Sequence, residues 1–317
     1  MVNYITTIIS DKYMSIGGFG HVFYDVLSSF IIAHLFNLKF VYSPIDSLND
    51  NYHRKSGKKN PKKFGRIVWD DFLKFSNNEL QIKDIKKLNL QEVKINLCKS
   101  FFSIKINKLE ELFKNKDNTL FILTNNNRIY LNEIYHQKRN KYNIIIKKLK
   151  QKLVHLKENN KNINNKVISL HIRQGDWCNV PLVYYTNFLN LVDTSKYIIN
   201  IFSVGNRKQM NNIRNIFSKY KDINYYLNTD VFDTFKKIYN SDIVVGGQSN
   251  FPKIITIFSN NIFIYLPYKD GECKSLGVNK KFKKYHLGNN LESFDEKNRI
   301  MTNLKITMNN KLILDNL

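Results

Sequence analysis

The sequence predicts an α/β protein made of two Rossmann-like domains. Three observations carry that prediction. Through the second half, short apolar runs rich in β-branched residues alternate with amphipathic runs, as in a parallel sheet joined by crossover helices. Near the start, an apolar run, a glycine cluster, a helical-period run and a second apolar run follow one another, the opening of a nucleotide-binding βαβ unit. The length of 317 residues exceeds one core of ordinary size, and the polar run Glu158-Asn159-Asn160-Lys161-Asn162 reads as a linker. The expected domains are therefore residues 1–160 and 161–317.

The elements follow in order. Tyr4 to Ser10 is β-branched and reads as a strand, and Ile16-Gly17-Gly18-Phe19-Gly20 reads as a loop. Val22, Val26, Phe30, Ala33 and Phe36 recur at helical spacing, predicting a helix over 22–37. Lys39 to Tyr42 is a second strand, stopped by Pro44. Ser43 to Gly65 is polar and basic and reads as a loop. Ile67 to Ile129 gives a mixed pattern with one clear strand, Leu120 to Leu123, and Leu131 to Lys157 reads as one or two helices. The second half predicts strands at 167–172, 197–203, 224–227, 243–245 and 262–266. It predicts helices at 183–191, 207–220, 231–239 and 251–258.

Composition narrows the function. Lys plus Arg is 50 against 26 for Asp plus Glu, a formal charge of +24. Such a balance points to nucleic acid, an acidic membrane surface or a phosphorylated ligand. The excess of Lys, Asn, Ile, Tyr and Phe is also what an AT-rich coding sequence yields by drift, and the basic residues are scattered along the chain. Hydrophobic residues make up 43%, enough for a packed core, which excludes a disordered chain. Cys98, Cys178 and Cys273 lie far apart, which argues against a disulfide framework or zinc site and for a reduced, cytoplasmic setting. The longest apolar stretch, Val22 to Val41, carries Asp25, His34, Asn37 and Lys39, so it reads as buried helix and strand rather than a membrane span. Peripheral contact with an acidic membrane surface stays open.

Three segments can carry chemistry. His171-Ile172-Arg173-Gln174-Gly175-Asp176 leaves the C-terminal end of a predicted parallel strand, the edge where such sheets bind ligands. Arg173 offers a planar fork of donors for phosphate oxygens, and Asp176 can orient it or accept a hydroxyl. An Arg–Asp ion pair at a polar strand exit is the bland alternative. Asp242-Ile243-Val244-Val245-Gly246-Gly247-Gln248-Ser249-Asn250-Phe251-Pro252 runs from a strand through a glycine turn into a helix. Free backbone N–H groups there suit an anion, and Ser249 or Asn250 can instead simply cap the helix. Gly17-Gly18-Phe19-Gly20-His21 follows the first strand. Phe23 stands where a dinucleotide turn has its last glycine, so a redox role is disfavoured. The loop reads as a substrate contact through Gly18, Phe19, Gly20 and His21, or as a structural turn.

Taken together, these segments resemble the GDP-fucose-dependent fucosyltransferases of the α-1,2, α-1,6 and protein O-fucosyltransferase group. Residues 171–176 are similar to that group's His-x-Arg-x-Gly-Asp motif. Residues 17–21 resemble its N-terminal glycine loop. The stretch from Ser241-Asp242 to Ser249-Asn250-Phe251 resembles its late Asp and Ser-Ser-Phe block, with Asn250 for the second Ser. The likeness covers about a third of the chain in matching order. It implies a GT-B fold, two Rossmann-like domains facing across a cleft, with GDP-fucose as co-substrate, a glycan as acceptor and no metal or other cofactor. It implies that Arg173 meets the β-phosphate and that His171 and Asp176 support it and the nucleotide. Asp242 would then lie near the nucleoside, Gln248, Ser249, Asn250 and Phe251 at the phosphates, and His21 beside the reacting centre.

Asp-x-Asp, the metal–diphosphate anchor of the other main glycosyltransferase architecture, is missing, as are a P-loop and a serine nucleophile elbow. A GT-B transferase using another nucleotide sugar is the nearest alternative. A basic nucleic-acid-binding protein is the alternative from another class. The aromatic residues sit mostly on apolar helix and strand faces, which disfavours nucleic acid as partner.

Overall fold

A computed structural model describes residues 2–7, 19–45, 69–95, 106–114, 116–124, 137–158, 166–174, 182–190, 192–247, 249–265 and 286–289. The chain divides into two compact units, Met1–Val154 and His155–Leu317. Both are α/β.

The first unit holds a five-stranded sheet in the order β3-β2-β1-β5-β4. The strands are β1 (Tyr4–Thr7), β2 (Lys39–Tyr42), β3 (Leu80–Gln81), β4 (Gln91–Ile95) and β5 (Thr119–Leu123), all parallel to their neighbours. Helix α1 (Phe19–Phe36) follows β1 and starts earlier than its apolar period suggests. Phe19 explains the early start: its ring stacks on Trp69 at 3.6 Å, so the first turn is fixed by packing. Trp69 opens the short helix α2 (Trp69–Leu73). Phe23 and Phe30 from α1 meet Phe75, and Phe30 meets Phe40 of β2, forming an aromatic core on one face of the sheet. The mixed region of the sequence contains α3 (Ile82–Ile85), β4 and α4 (Ile106–Lys114). Strand β4 is the sheet's edge and mostly exposed, so Gln91, Glu92 and Lys94 break the apolar alternation that marks a buried strand. Helix α5 (Arg139–Lys152) closes the unit, burying Tyr142, Ile145, Ile146 and Leu149 at helical spacing.

The second unit holds a six-stranded sheet in the order β11-β10-β9-β6-β7-β8. Its strands are β6 (Lys166–His171), β7 (Tyr197–Ser203), β8 (Ile223–Leu227), β9 (Ile243–Gly246), β10 (Ile262–Tyr265) and β11 (His286–Asn289). All pairs are parallel except β10 with β11. Helices α6 (Leu182–Leu189), α7 (Arg207–Phe217), α8 (Val231–Tyr239) and α9 (Asn250–Phe258) alternate with the strands. Each apolar stripe faces the sheet: Met210, Ile213 and Phe217 on α7, then Phe235, Ile238 and Tyr239 on α8. Ile168, Leu170, Ile199, Ile201, Ile243 and Val245 are the buried strand residues that pack with the α7 stripe and with Tyr184, Tyr185 and Phe188 of α6. Near-continuous apolar strands are what a sheet covered on both faces requires.

The strand order sets the position of the site. From β6 the chain moves outward to β7 and β8, then returns to β9 on the other side of β6. The connections leaving β6 and β9 therefore diverge, opening a crevice outside their C-terminal ends. Among the described residues, no helix is long and apolar enough to cross a membrane.

Candidate active site

Two of the three candidate segments meet at this switch point. His171 ends β6, Gly246 ends β9, and the two are register partners. The residues that follow each strand thus emerge side by side.

Beyond His171 the backbone stays pinned. The Ile172 N–H donates to the Phe202 carbonyl at 2.9 Å, and the Ser203 hydroxyl donates to the Ile172 carbonyl at 2.8 Å. Ile172 is buried, so Arg173 leaves a fixed backbone as a half-buried side chain. Its guanidinium acts on the imidazole of His171. Burial first, and the positive charge of Arg173 second, lower the His171 pKa to about 4. The imidazole is neutral at pH 7. His171 Nδ1 is sealed from solvent and has no hydrogen-bond partner among the described residues. An unpaired buried polar atom costs stability.

Across the crevice, Gly246 and Gly247 lead into α9. A Cβ on Gly246 would lie 3.2 Å from Pro252 Cγ and 3.3 Å from the Phe263 ring, so the missing side chain lets the helix start press on the strand end. Ser249 caps α9, its hydroxyl accepting from the Phe251 N–H at 3.4 Å. That cap is long. By contrast, α7 starts with a capping box between Asn206 and Gln209, and the Asp230 carboxylate accepts from two amides of α8. Among the described residues, the α9 start shows one cap bond and no acidic side chain in its first turn, a start that suits an anion. Phe251, in its first turn, lays its ring against His171, with centroids 5.6 Å apart.

One residue here carries no motif signal. Tyr185 of α6 is fully buried, and its hydroxyl donates to the His171 carbonyl at 2.9 Å. Burial raises the phenol's pKa above its usual value. Ser203, which fixes Ile172, also went unmarked. Both are legible only once the strand order is known.

Other candidates fall elsewhere. Asp242 precedes β9 and sits at the opposite end of the strand. Its carboxylate accepts from the Val167 N–H at 2.7 Å, a bond that sets the β6–β9 register. At about 3.3 Å per residue, four residues of strand separate it from the crevice by about 13 Å. The contact seen for this carboxylate is thus a structural one. Phe19 is 5% exposed, and its ring stacks on Trp69 and Phe23. Gly20 lies in the first turn of α1 rather than in a loop. His21 lies in the same turn. Gly18, Asp176 and Gln248 lie outside the described residues.

No family model matches the chain, and no curated protein matches it. Among solved structures the chain is similar to the fucosyltransferase NodZ from Bradyrhizobium, at 11% identity over 84% of this chain and 95% of that one, with a TM-score of 0.40. It is also similar to POFUT1 in complex with GDP, at 9% identity over 82% and 95%, with a TM-score of 0.40. A further likeness is to POFUT1 in complex with GDP-fucose, at 8% identity, the same coverages and a TM-score of 0.40.

Proposed function

We propose that this chain is an inverting, metal-independent glycosyltransferase of GT-B type that transfers fucose from GDP-fucose to a glycan hydroxyl. The observation that carries the reading is the meeting of Arg173, the unpaired His171 Nδ1 and the α9 start at one switch point. The sequence motifs resembling those of GDP-fucose-dependent enzymes fall on the same two strand exits.

In the reaction, the acceptor oxygen forms a bond to the anomeric carbon as the bond to the β-phosphate oxygen breaks. The electron pair of the broken bond leaves with GDP. Arg173 neutralises the charge that builds there, as a fork that suits two phosphate oxygens at once. The amides at Asn250 and Phe251 add a fixed positive potential. Neutral His171 lies beside them, its ring against Phe251. The acceptor's proton goes to a base, and His21, which the resemblance puts beside the reacting centre, is the proposed acceptor of that proton.

A basic nucleic-acid-binding role finds less support. Among the described residues, the large exposed apolar side chains are Val2, Leu80, Leu88, Ile144, Val154 and Val204, none of them an aromatic on which a base could stack. The test is thermal shift and hydrolysis with a panel of nucleotide sugars, with and without EDTA. GDP and GDP-fucose are expected to raise the Tm and to act without metal. A response to UDP or dTDP alone would point to another donor, and a strict need for manganese would overturn the mechanism.

A further inference from the structure

Helix α5 carries a charge distribution that neither folding nor composition explains. Seven of the fifteen residues from 138 to 152 are Lys or Arg, and none is Asp or Glu. The whole chain has 50 Lys plus Arg to 26 Asp plus Glu, so a bias in composition alone would leave acids among them. The helix dipole favours Lys150 and Lys152 in the last turn. It opposes Lys138, Arg139 and Lys141 at the start, where the first turn has no acid and no side chain caps the amides. Lys138 and Lys141 line one hollow with Lys114 of α4, and Glu110 is the acid among its lining residues. At the other end of the helix, Lys152 pairs with Glu79. The apolar side of α5 is already used, since Tyr142, Ile145, Ile146 and Leu149 are buried. The opposite side faces solvent and presents Ile144, Lys147 and Lys148. Ile144 is 56% exposed beside these cations, and Val154, just past the helix, is 60% exposed.

We propose that the solvent face of α5 is a docking surface for an anionic phospholipid bilayer. A cluster of lysines on an amphipathic helix meets the negative potential of such a bilayer, and each cation near the surface adds to the attraction. Lipid phosphates lie against Lys147, Lys148 and the basic helix start, and Ile144 enters the headgroup layer among them. The aliphatic side chain is what separates a bilayer from a nucleic acid, which would call for aromatic rings on which bases stack. The buried side from Tyr142 to Leu149 excludes a free amphipathic peptide laid in a partner's groove, because its apolar face belongs to the core. The surface does not depend on the donor: it holds whether or not the sugar nucleotide is GDP-fucose.

The full chain is sedimented with vesicles of phosphatidylcholine alone and with vesicles that also contain phosphatidylserine. Binding is expected only with phosphatidylserine present, and it is expected to weaken as salt rises. Lys147→Glu/Lys148→Glu is expected to lower the partition coefficient about twentyfold or more. Arg207→Glu/Lys208→Glu, at the exposed start of α7, makes the same change in net charge and is expected to lower it about twofold at most. Ile144→Ser leaves the charge alone and is expected to lower it about fivefold. Thermal melts check that each variant is folded, and Lys147→Glu alone replaces the pair if the pair is not. Equal partition onto both vesicles, an unchanged partition in the Lys147/Lys148 variant, or the same loss in the α7 variant would overturn the docking surface. An unchanged partition in Ile144→Ser would overturn it as well. Tighter binding of a single-stranded oligonucleotide than of the vesicles, lost in the Lys147/Lys148 variant, would assign the face to nucleic acid instead.

Discussion

His171 and Gly246 are register partners at the C-terminal ends of neighbouring parallel strands, and the chain leaves them in opposite directions. One strand contributes an imidazole and a guanidinium, the other a glycine turn and a helix start. Neither is distinctive alone. A strand exit with an arginine is common, and so is a capped helix after a glycine turn. Their adjacency, with Nδ1 of His171 buried and without a partner among the described residues, is what the proposed site rests on.

In the proposed reaction, Arg173 is the residue on which turnover is expected to depend most. It stands half-buried past a pinned Ile172, so replacing it leaves the core intact. Arg173→Ala is expected to cost about 3–4 kcal/mol of barrier, on the order of a hundredfold or more in kcat, with the Tm nearly unchanged. Arg173→Lys keeps the charge but not the fork and is expected to recover little of the loss. Steady-state kinetics with GDP-fucose and a thermal melt of each variant check this. Near-normal kcat in Arg173→Lys would sink two-point phosphate recognition.

Gly246 sets how closely α9 approaches. A methyl group there meets Pro252 and Phe263 at 3.2 and 3.3 Å. A proline ring and a buried phenyl have little freedom to give way. Gly246→Ala is expected to cost about 1–3 kcal/mol of stability and to weaken GDP binding by moving the helix start. Ser249→Ala is expected to cost less, about 0.5–1 kcal/mol, because its cap bond is already long at 3.4 Å. Denaturant melts and GDP titrations of the pair rank the two effects, and the reverse order would show that the helix start is not held by that close contact.

The strands of the second unit were readable because they are buried on both faces. Lys166–His171, Tyr197–Ser203 and Ile243–Gly246 are apolar runs in the sequence and strands in the structure. Edge elements were not readable. Strand β4 reads Gln-Glu-Val-Lys-Ile because solvent, not a helix, covers it. The motifs at residues 171–173 and 246–251 could be picked out because charge and glycine stand out against apolar neighbours. Tyr185 could not, since a buried tyrosine on a helix looks like any core aromatic until its hydroxyl is seen donating to the His171 carbonyl at the end of β6. Asp242 erred in the other direction. A carboxylate beside a glycine motif looks functional, and only the strand's direction shows that it lies at the far end.

That placement of Asp242 gives a sharp contrast between two variants. Asp242→Asn weakens the bond to the Val167 amide, where a charged acceptor is replaced by a neutral one. The expected result is a lower Tm, by about 1–2 kcal/mol, with GDP affinity unchanged. Arg173→Ala is expected to do the opposite. A tenfold loss of GDP affinity in Asp242→Asn, measured by calorimetry, would restore the carboxylate to the nucleotide site.

Acid should destabilise the protein through two histidines. His171 and His34 both have folded pKa values lowered from 6.5 to about 4. For His171 the cause is burial and then Arg173. For His34 it is burial and then Lys148 and Lys152. Because the folded values lie below the unfolded one, between pH 6.5 and about 4 the unfolded chain binds protons at these sites that the folded chain refuses. Stability therefore falls as pH drops through that window, and above pH 6.5 neither residue adds a slope. His34→Gln is expected to remove part of the slope and leave GDP binding alone. His171→Gln is expected to remove part of it and weaken GDP binding as well, because only His171 stands at the switch point. Bound GDP brings negative charge to that imidazole and opposes Arg173, so it raises the His171 pKa. The protein's stabilisation by GDP is accordingly expected to grow as pH falls from 6.5 toward 5, read as Tm with and without nucleotide at each pH. A GDP-induced shift that shrinks over this range would place the diphosphate away from His171.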